Sequence, residues 1–582
     1  MLKQLSGLDT MFLYMESSRT PLEVGSLQIY DPSTAPGGRV RFKELLALFD
    51  NRLDCAPIFK SRLLEVPLSL DHPYWMKDDE FDIEYHLRHI SLPRPGDWRQ
   101  LMIQIARLQS QQLDKSRPLW EVYVIEGLNN VAGVRKGCFA LFTKMHHAIV
   151  DGVGSLEIQR RIHDLEPLKP DLPSSAPPPR RSKVPEPSPW RLLARSPFSC
   201  AVKSTRLARA LACAAPGLLR AALASGGSER PSAPRTIFNV GRASANRVID
   251  GRFFQLAEIR EIAKQVPGTK VNDVVLAVVG GAMRCYLQSK SRLPSRTLVA
   301  GCPIDIRQGD IGHAAHANMV SMMNAPLRTD LADPLERLRA VFRGTLEAKA
   351  MTREIGAARL TALPMNLPAP IAKNLYPPLM DLLGRSGRLA FNTVVTNVPG
   401  PTQPIYLAGA RMVKMIGMGP VLDQAGIFHA AFSYDGMLSI SFTACREMLP
   451  DPGFYAECIQ QAFEELRDAA FAPPLRSGSG RKKKKRRSKA ARTRKAETSL
   501  PAVATAPAAE NDTDVRLLKK KARRKKPGTK TSVKKSPMKK AKKQVGAARR
   551  KVGKKALRKK GQEKAVQQPP ADSSARKAGS GN

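Results

Sequence analysis

The chain has 582 residues, 42% of them hydrophobic, enough for two or three domains with a substantial core, which excludes a small stapled scaffold. Lys and Arg number 95 against 51 Asp and Glu, a formal balance of +44, and residues 481–582 hold 37 of those cations against 6 acids, +31 of the total. The eight cysteines form no CxxC pair, which argues against a zinc or disulfide framework, and no window approaches 18 uninterrupted apolar residues, so any membrane is met from the side.

The N-terminus, MLKQLSGLDTMFLYMESS, has no apolar run behind its charged start and does not read as a signal peptide; with apolar, reduced-looking cysteines this predicts a cytoplasmic protein. Residues 1 to about 165 mix strand-like runs (Leu22–Tyr30, Trp120–Glu126, Cys138–Met145) with amphipathic helical ones (Phe42–Leu53, Trp98–Leu113), an α/β pattern.

At 139–155 the chain reads FALFTKMHHAIVDGVGS. An apolar strand, buried on both faces, ends in two histidines, and Gly152 and Gly154 open a turn before a helical pattern from Ser155. His146, His147 and Asp151 thus sit at a strand-to-helix junction, where side chains face clefts. A neutral imidazole there suits a general base, with Asp151 holding the loop by an ion pair or capping the helix. The residues alone leave other readings open: a hydrogen-bonded structural histidine, an Asp-Gly turn, or a metal ligand.

Residues 166–190 hold nine prolines and read as a linker or crossover. Residues 191–227 predict an Ala/Leu-rich helix pair broken at Pro216–Gly217, either a surface helix packed on the body or an interfacial one whose Arg206, Arg209 and Arg220 meet anionic headgroups. A second α/β region follows over 235–475, with helices at Gln255–Val266 and Asn272–Leu287 and strands at Thr297–Pro303, Asn392–Thr396, Gly426–Ser433 and Leu438–Thr443. The segment 476–582 has Lys/Arg runs such as KKKARRKKPGTK and, from 481, no aromatic residue; it cannot bury enough surface to fold alone and is expected to be disordered. Flexible cations at this density predict salt-sensitive binding to a polyanion, either DNA or acidic lipid, over the alternative of a merely solubilising tail.

HHAIVDG fits the HHxxxDG signature of the CoA-dependent acyltransferase superfamily. LSGLDTMFLYMESSRTPLEVGSL (5–27), RPLWEVYVIEGL (117–128), KVNDVVLAVVGGAMRCYL (270–287), PIDIR (303–307), ADPLERLRA (332–340) and TNVPGP (396–401) together resemble the bacterial wax ester synthase/acyl-CoA:diacylglycerol acyltransferase family in the same order along the chain. The resemblance implies two chloramphenicol acetyltransferase-like domains, 1–165 and 235–475, each a mixed sheet flanked by helices. They are joined by 166–234, with the active site in a tunnel between them.

It further implies that His147 takes the proton of an acceptor hydroxyl as that oxygen attacks the thioester of acyl-CoA, a substrate rather than a cofactor, so that no cofactor or metal is needed. The acceptor is diacylglycerol or a long-chain alcohol, met at a membrane or lipid-droplet surface. His146 and Gly152 would shape the loop, Asp151 would hold it, and Arg307 would pair with Asp151. Asn272 and Asp273 match the family's ND pair, equally readable as an N-cap. Trp120 and Glu121 would serve packing. Departures are Thr396 for the family's serine, Asp305 inside PIDIR, and Ala317 where glycine is usual. Two other functions fit the residues: a non-catalytic tether between lipid droplet and nucleic acid, and acyl transfer to a different hydroxyl acceptor.

The basic tail lies outside this resemblance. Its alternation of Lys clusters with Ala, Pro, Ser and Gly resembles the tails of linker histones.

Overall fold

Apolar periodicity accounts for most of the elements found. The computed structural model describes residues 2–54, 56–149, 159, 161–167, 186–224, 233–239, 241–305, 320–355, 365–385 and 389–472. Its first half runs β1 (Lys3–Gln4), α1 (Gly7–Met15), β2 (Glu23–Asp31), α2 (Phe42–Leu53), β3 (Ser61–Leu64), β4 (Tyr74–Lys77), α3 (Ile83–His86), β5 (Leu87–Ser91), α4 (Trp98–Gln109), β6 (Trp120–Glu126) and β7 (Phe139–His146). After α5 (Pro189–Ala224) come β8 (Arg247–Gln255), α6 (Leu256–Lys264), α7 (Val271–Ser289), β9 (Val299–Asp305), β10 (Val320–Pro326), α8 (Pro334–Ile355) and α9 (Ala369–Arg385). The last elements are β11 (Thr393–Pro399), β12 (Tyr406–Leu407), β13 (Ala410–Met418), β14 (Ile427–Tyr434), β15 (Met437–Cys445) and α10 (Pro452–Phe471). They belong to one compact unit, Met1–Arg481; the basic segment Lys482–Asn582 is a second unit, outside the described residues.

The strands form two six-stranded mixed sheets, β12-β13-β2-β7-β6-β5 and β10-β9-β11-β14-β15-β8, and a small third, β1-β4-β3. β5 pairs parallel with β6, and β11 parallel with β9 and β14. Every residue of β7 is buried, Thr143, Lys144 and His146 included, as a largely apolar strand covered on both faces predicts. Phe139, Leu141 and Met145 pack with Leu45, Leu48 and Phe49 of α2, while Ala140 and Phe142 pack with Leu101 and Ile105 of α4. The second sheet carries a core built from α6, α7 and α10. In α7, a Cβ at Gly280 would come within 2.2 Å of the Leu327 carbonyl, so only glycine lets the helix lie this close to the chain leaving β10.

Several arrangements were not legible beforehand. β12 and β13, from late in the chain, complete the first sheet, with β13 paired along β2 from Arg411↔Asp31 to Met418↔Gly25. The expected break at Pro216 does not occur: α5 is one helix of 36 residues through Pro197 and Pro216. Both prolines are exposed, as is Ala212, whose carbonyl Pro216 leaves without its helical donor, and Leu193, the corresponding residue for Pro197, is half-buried, so the lost bonds fall at the solvent side of the helix. Near its start α5 packs on the body through Leu192, which meets Val66 and Tyr74, and through Lys203, 2.7 Å from Asp71. No helix among the described residues is long and apolar enough to cross a membrane.

The two halves are stitched by specific bonds. Trp98 Nε1 donates to Asp250 Oδ1 at 2.7 Å. Arg19 reaches Asp423 at 3.3 Å and the Ala243 carbonyl at 3.2 Å, and Arg247 Nη2 donates to the Arg19 carbonyl at 2.7 Å. The loop after α1 is therefore clamped by the second half.

Candidate active site

The buried histidines divide by what surrounds them. His72 bonds Thr10 Oγ1 and the Leu367 carbonyl, both at 2.9 Å; His163 bonds the Gln159 carbonyl and Tyr30 Oη, both at 2.7 Å; His429 bonds Thr393 Oγ1 at 2.8 Å and Tyr455 Oη at 2.7 Å. With both nitrogens engaged inside the core, these rings are structural. His86 is likewise sealed, bonded to the Trp120 carbonyl and stacked on that indole.

His146 and His147 sit where β7 runs out. His146 closes the strand opposite Glu23, and the chain then turns, with the Ile149 amide donating to the His146 carbonyl at 3.0 Å. The His147 amide donates to the Leu22 carbonyl at 3.0 Å, and its ring stacks on Phe12 of α1 with centroids 4.0 Å apart. Unlike the structural histidines, His147 keeps part of its surface open. Burial of the ring holds its pKa down at about 4, against the opposing effect of a hydrogen bond to its own main chain, so the imidazole is neutral at pH 7. His146 is 1% exposed and held at about 3, by burial first and then by the charges of Lys115 and His147.

Behind the pair lies a layer of buried charge. Lys144 and Glu23, both with fully buried side chains, face each other at 4.0 Å across β7 and β2. Burial raises Glu23 to about 7 although Lys144 pulls the other way, and it lowers Lys144 against the pull of Glu23. Glu23 Oε1 also accepts from the Leu113 amide at 3.1 Å, the Glu23 carbonyl accepts from Gln109 Nε2 at 2.9 Å, and Lys144 donates to the Gln111 carbonyl. Glu16, at the end of α1, has its side chain 1% exposed, 2.6 Å from Lys115 Nζ and 3.9 Å from His146 Nε2. Lys115 in turn lines a cavity of about 300 Å³ bounded by Leu13 and Tyr14 of α1, Glu65, Asp71 and Lys373. Burial, reinforced by Glu65 and Asp71, pushes Tyr14 up to about 12.

The sequence-predicted residues fare differently. His146 and His147 are adjacent as expected, and β7 delivers them. Asp273 is buried at the start of α7, where its carboxylate accepts from the Lys270 amide at 2.8 Å and from Thr345 Oγ1 at 2.9 Å; it closes the helix end and ties α7 to α8. Asn272 beside it is half-buried, and Thr396 is half-buried in β11, in register with Ala430 of β14. Trp120 donates to the Phe59 carbonyl at 2.8 Å, and Glu121 holds Arg88 at 3.0 Å and Tyr123 Oη at 2.7 Å, both packing roles. Asp151, Gly152 and Arg307 lie outside the described residues, and so does the proposed Asp151–Arg307 pair. Phe12, Glu16, Glu23, Lys115 and Lys144 escaped the sequence reading. The signal available was a lysine inside the apolar run FALFTKM, which in a strand buried on both faces demands a buried counter-charge.

Residues 5–275 match the model of the wax ester synthase/diacylglycerol acyltransferase catalytic domain, and residues 316–467 match that of the WS/DGAT C-terminal domain. A Mycobacterium tuberculosis protein assigned as a diacylglycerol O-acyltransferase is 32% identical over 473 residues, covering 80% of this chain and 99% of its own. The O-acyltransferase WSD of Acinetobacter baylyi is 31% identical over 460 residues, covering 77% and 93%. Among solved structures, the wax ester synthase/diacylglycerol acyltransferase of Marinobacter aquaeolei VT8 superimposes with a TM-score of 0.57 at 28% identity over 80% of this chain and 99% of that one. The first condensation domain of the calcium-dependent antibiotic synthetase, 14% identical with a TM-score of 0.50 over 81% and 97%, shares the fold.

Proposed function

The chain belongs to the wax ester synthase/diacylglycerol acyltransferase family, and from that premise we propose that it transfers a long-chain acyl group from acyl-CoA to the hydroxyl of diacylglycerol or a long-chain alcohol, giving triacylglycerol or wax ester and free CoA. In this reading residues 1–165 and 235–475 are the two acyltransferase domains, 166–234 the crossover and 476–582 the tail. The observation that carries the chemistry is a neutral imidazole stacked on Phe12, that of the half-buried residue His147, at the end of a strand otherwise buried.

His147 accepts the acceptor's proton as the hydroxyl oxygen forms its bond to the thioester carbonyl carbon. The tetrahedral intermediate collapses by breaking the C–S bond, and the imidazolium returns the proton to the CoA sulfur. No acyl-enzyme is needed, because a thioester is already activated and positioning with base catalysis carries the step. Asp151 and Gly152 hold and shape the loop beyond His147, with Arg307 as the partner of Asp151. Asn272, Asp273 and Thr396 support the site from the second domain. Purified protein given a long-chain acyl-CoA with hexadecanol or diacylglycerol is expected to release CoA in proportion to ester formed; release with neither acceptor present, or none with both, contradicts the reading.

Two surfaces bring the enzyme to its partners. α5 carries six Lys and Arg and no acid, and exposes Trp190 and Phe198 at 78% and 76%, beside the segment holding Leu68 at 86%. Such a helix suits peripheral association with an anionic membrane or lipid droplet. The tail supplies a second, purely electrostatic grip on polyanions. Binding of the full chain to duplex DNA is expected to weaken by about 1,000-fold or more between 50 and 200 mM salt, while binding to acidic vesicles keeps a salt-resistant fraction from the apolar side chains. Salt-independent DNA binding contradicts the tail reading, and complete loss of vesicle binding at high salt contradicts that of α5.

A further inference from the structure

His146 is the residue through which the His147 turn is held, and what holds His146 lies far away in the chain. The Ala148 amide donates to His146 Nδ1 at 3.0 Å. That nitrogen therefore carries the lone pair, and the proton of the neutral ring sits on Nε2. Nε2 is buried, has no hydrogen-bond partner, and faces the Glu16 carboxylate at 3.9 Å. Lys115 Nζ stands 2.6 Å from the same carboxylate. Glu16 ends the helix whose Phe12 covers His147, and Lys115 follows the segment that Glu23 and Lys144 pin through Gln109, Gln111 and Leu113.

We propose that Glu16 and Lys115 form the positioning pair of the acyl-transfer base, the carboxylate serving as acceptor for His146 Nε2–H and so keeping the Ala148 amide bound to Nδ1 and the His147 turn in place. This rests on the reading of His147 as the base. The 3.9 Å gap closes to hydrogen-bond distance as substrates fill the site, in the manner of contacts that are long in an empty active site.

The pairing also explains the lysine. A lone buried carboxylate beside His146 would favour the imidazolium, which donates from both nitrogens and cannot accept from Ala148. Lys115 cancels that charge, so the pair offers an acceptor without a net field. Among the described residues, the other groups facing His146 are His147, its register partner Glu23, and Lys144 two residues back on β7; Glu23 and Lys144 offset each other in the same way.

Steady-state kinetics of CoA release from pH 4 to 9, taken as initial rates after a jump from pH 7.5, in the full-length protein test this with Glu16→Gln, Lys115→Met, the double variant and His147→Ala. Glu16→Gln is expected to lose about 100-fold in kcat, the cost of misplacing a reacting group by roughly 1 Å, with KM little changed. Lys115→Met is expected to move the acidic limb of kcat upward by about one pH unit or more, because an uncompensated Glu16 favours protonated His146. The double variant, again without net charge and with an amide oxygen as acceptor, is expected to recover about tenfold over Glu16→Gln, the coupling typical of groups in one network.

Wild-type kinetics and an unmoved pH profile in both single variants, or no recovery in the double variant, overturn the proposal. His147→Ala separates the two levels: if it is active, the base assignment itself fails, whereas an inactive His147→Ala beside unaffected Glu16 and Lys115 variants removes only the positioning pair. A Glu16→Gln chain that does not fold leaves the Lys115→Met profile to decide.

Discussion

His147→Ala is expected to lower kcat for CoA release by about 100- to 10,000-fold, the range a positioned general base contributes, with KM for acyl-CoA within a few-fold of the wild type. The ring stacks on Phe12 and the residue as a whole is half-buried, so its removal takes less from the core than the loss of a fully enclosed side chain. Far-UV circular dichroism and the thermal midpoint are therefore expected to stay close to the wild type, which separates lost chemistry from lost fold. The pH profile supplies an independent reading. Burial holds His147 at about 4, so the wild-type base is already deprotonated at pH 6, and initial-rate kcat/KM of the still-folded protein is expected to stay level down to about pH 5 before falling. Turnover within threefold of wild type in the folded variant would show that another group takes the proton.

Acid is expected to unfold this protein at a pH where most domains are comfortable. In the unfolded chain an imidazole takes up its proton near pH 6.5, but in the fold His146, His147, His163 and His429 resist protonation to about 3, 4, 4 and 3, chiefly through burial. Between those values the unfolded state binds more protons, so the stability these rings contribute is complete above about pH 6.5 and is lost as pH falls toward 4. Burial also lowers His72 and His86, which act in the same direction. Glu23 works the opposite way: its carboxyl is raised to about 7, so it gains relative stability as pH falls through that range and offsets about one histidine.

The remaining three protons correspond to roughly 4 kcal/mol per pH unit, a large share of a typical domain stability of about 5–15 kcal/mol. Urea midpoints taken at half-unit steps from pH 7.5 to 5 are expected to be level at first and then to drop steeply below pH 6.5. His429→Gln, which keeps hydrogen-bonding capacity between Thr393 and Tyr455, is expected to shallow that slope. A urea midpoint independent of pH across this interval would mean that the buried rings are not held neutral by the fold.

The place of the histidine pair could be read locally because it is written in neighbouring residues. HHAIVDG places two histidines at the end of a strand-like run, and a strand end is where a side chain leaves the core. The helices at 42–53, 98–109 and 271–289 and the strands at 120–126 and 139–146 follow from apolar spacing, a property of residues a few positions apart. Asp273 shows the limit of such reading: its place after Asn272 marks a helix start, but only the fold reveals that Thr345 of another helix takes its second oxygen.

The α/β class, the histidine pair and the separation of a basic tail from the body could be read from the sequence alone, since each depends on composition or short spacing, and its ordered motifs carried the resemblance to the family. The tertiary structure decided what lies opposite what. It brought β12 and β13 into the first sheet, ran α5 through two exposed prolines, and set Glu16, Lys115 and His146 together from three separate stretches of chain. The physical reason is that burying charge carries a desolvation cost set by whichever partner arrives across space, and residues about a hundred positions apart leave no periodic trace of that meeting.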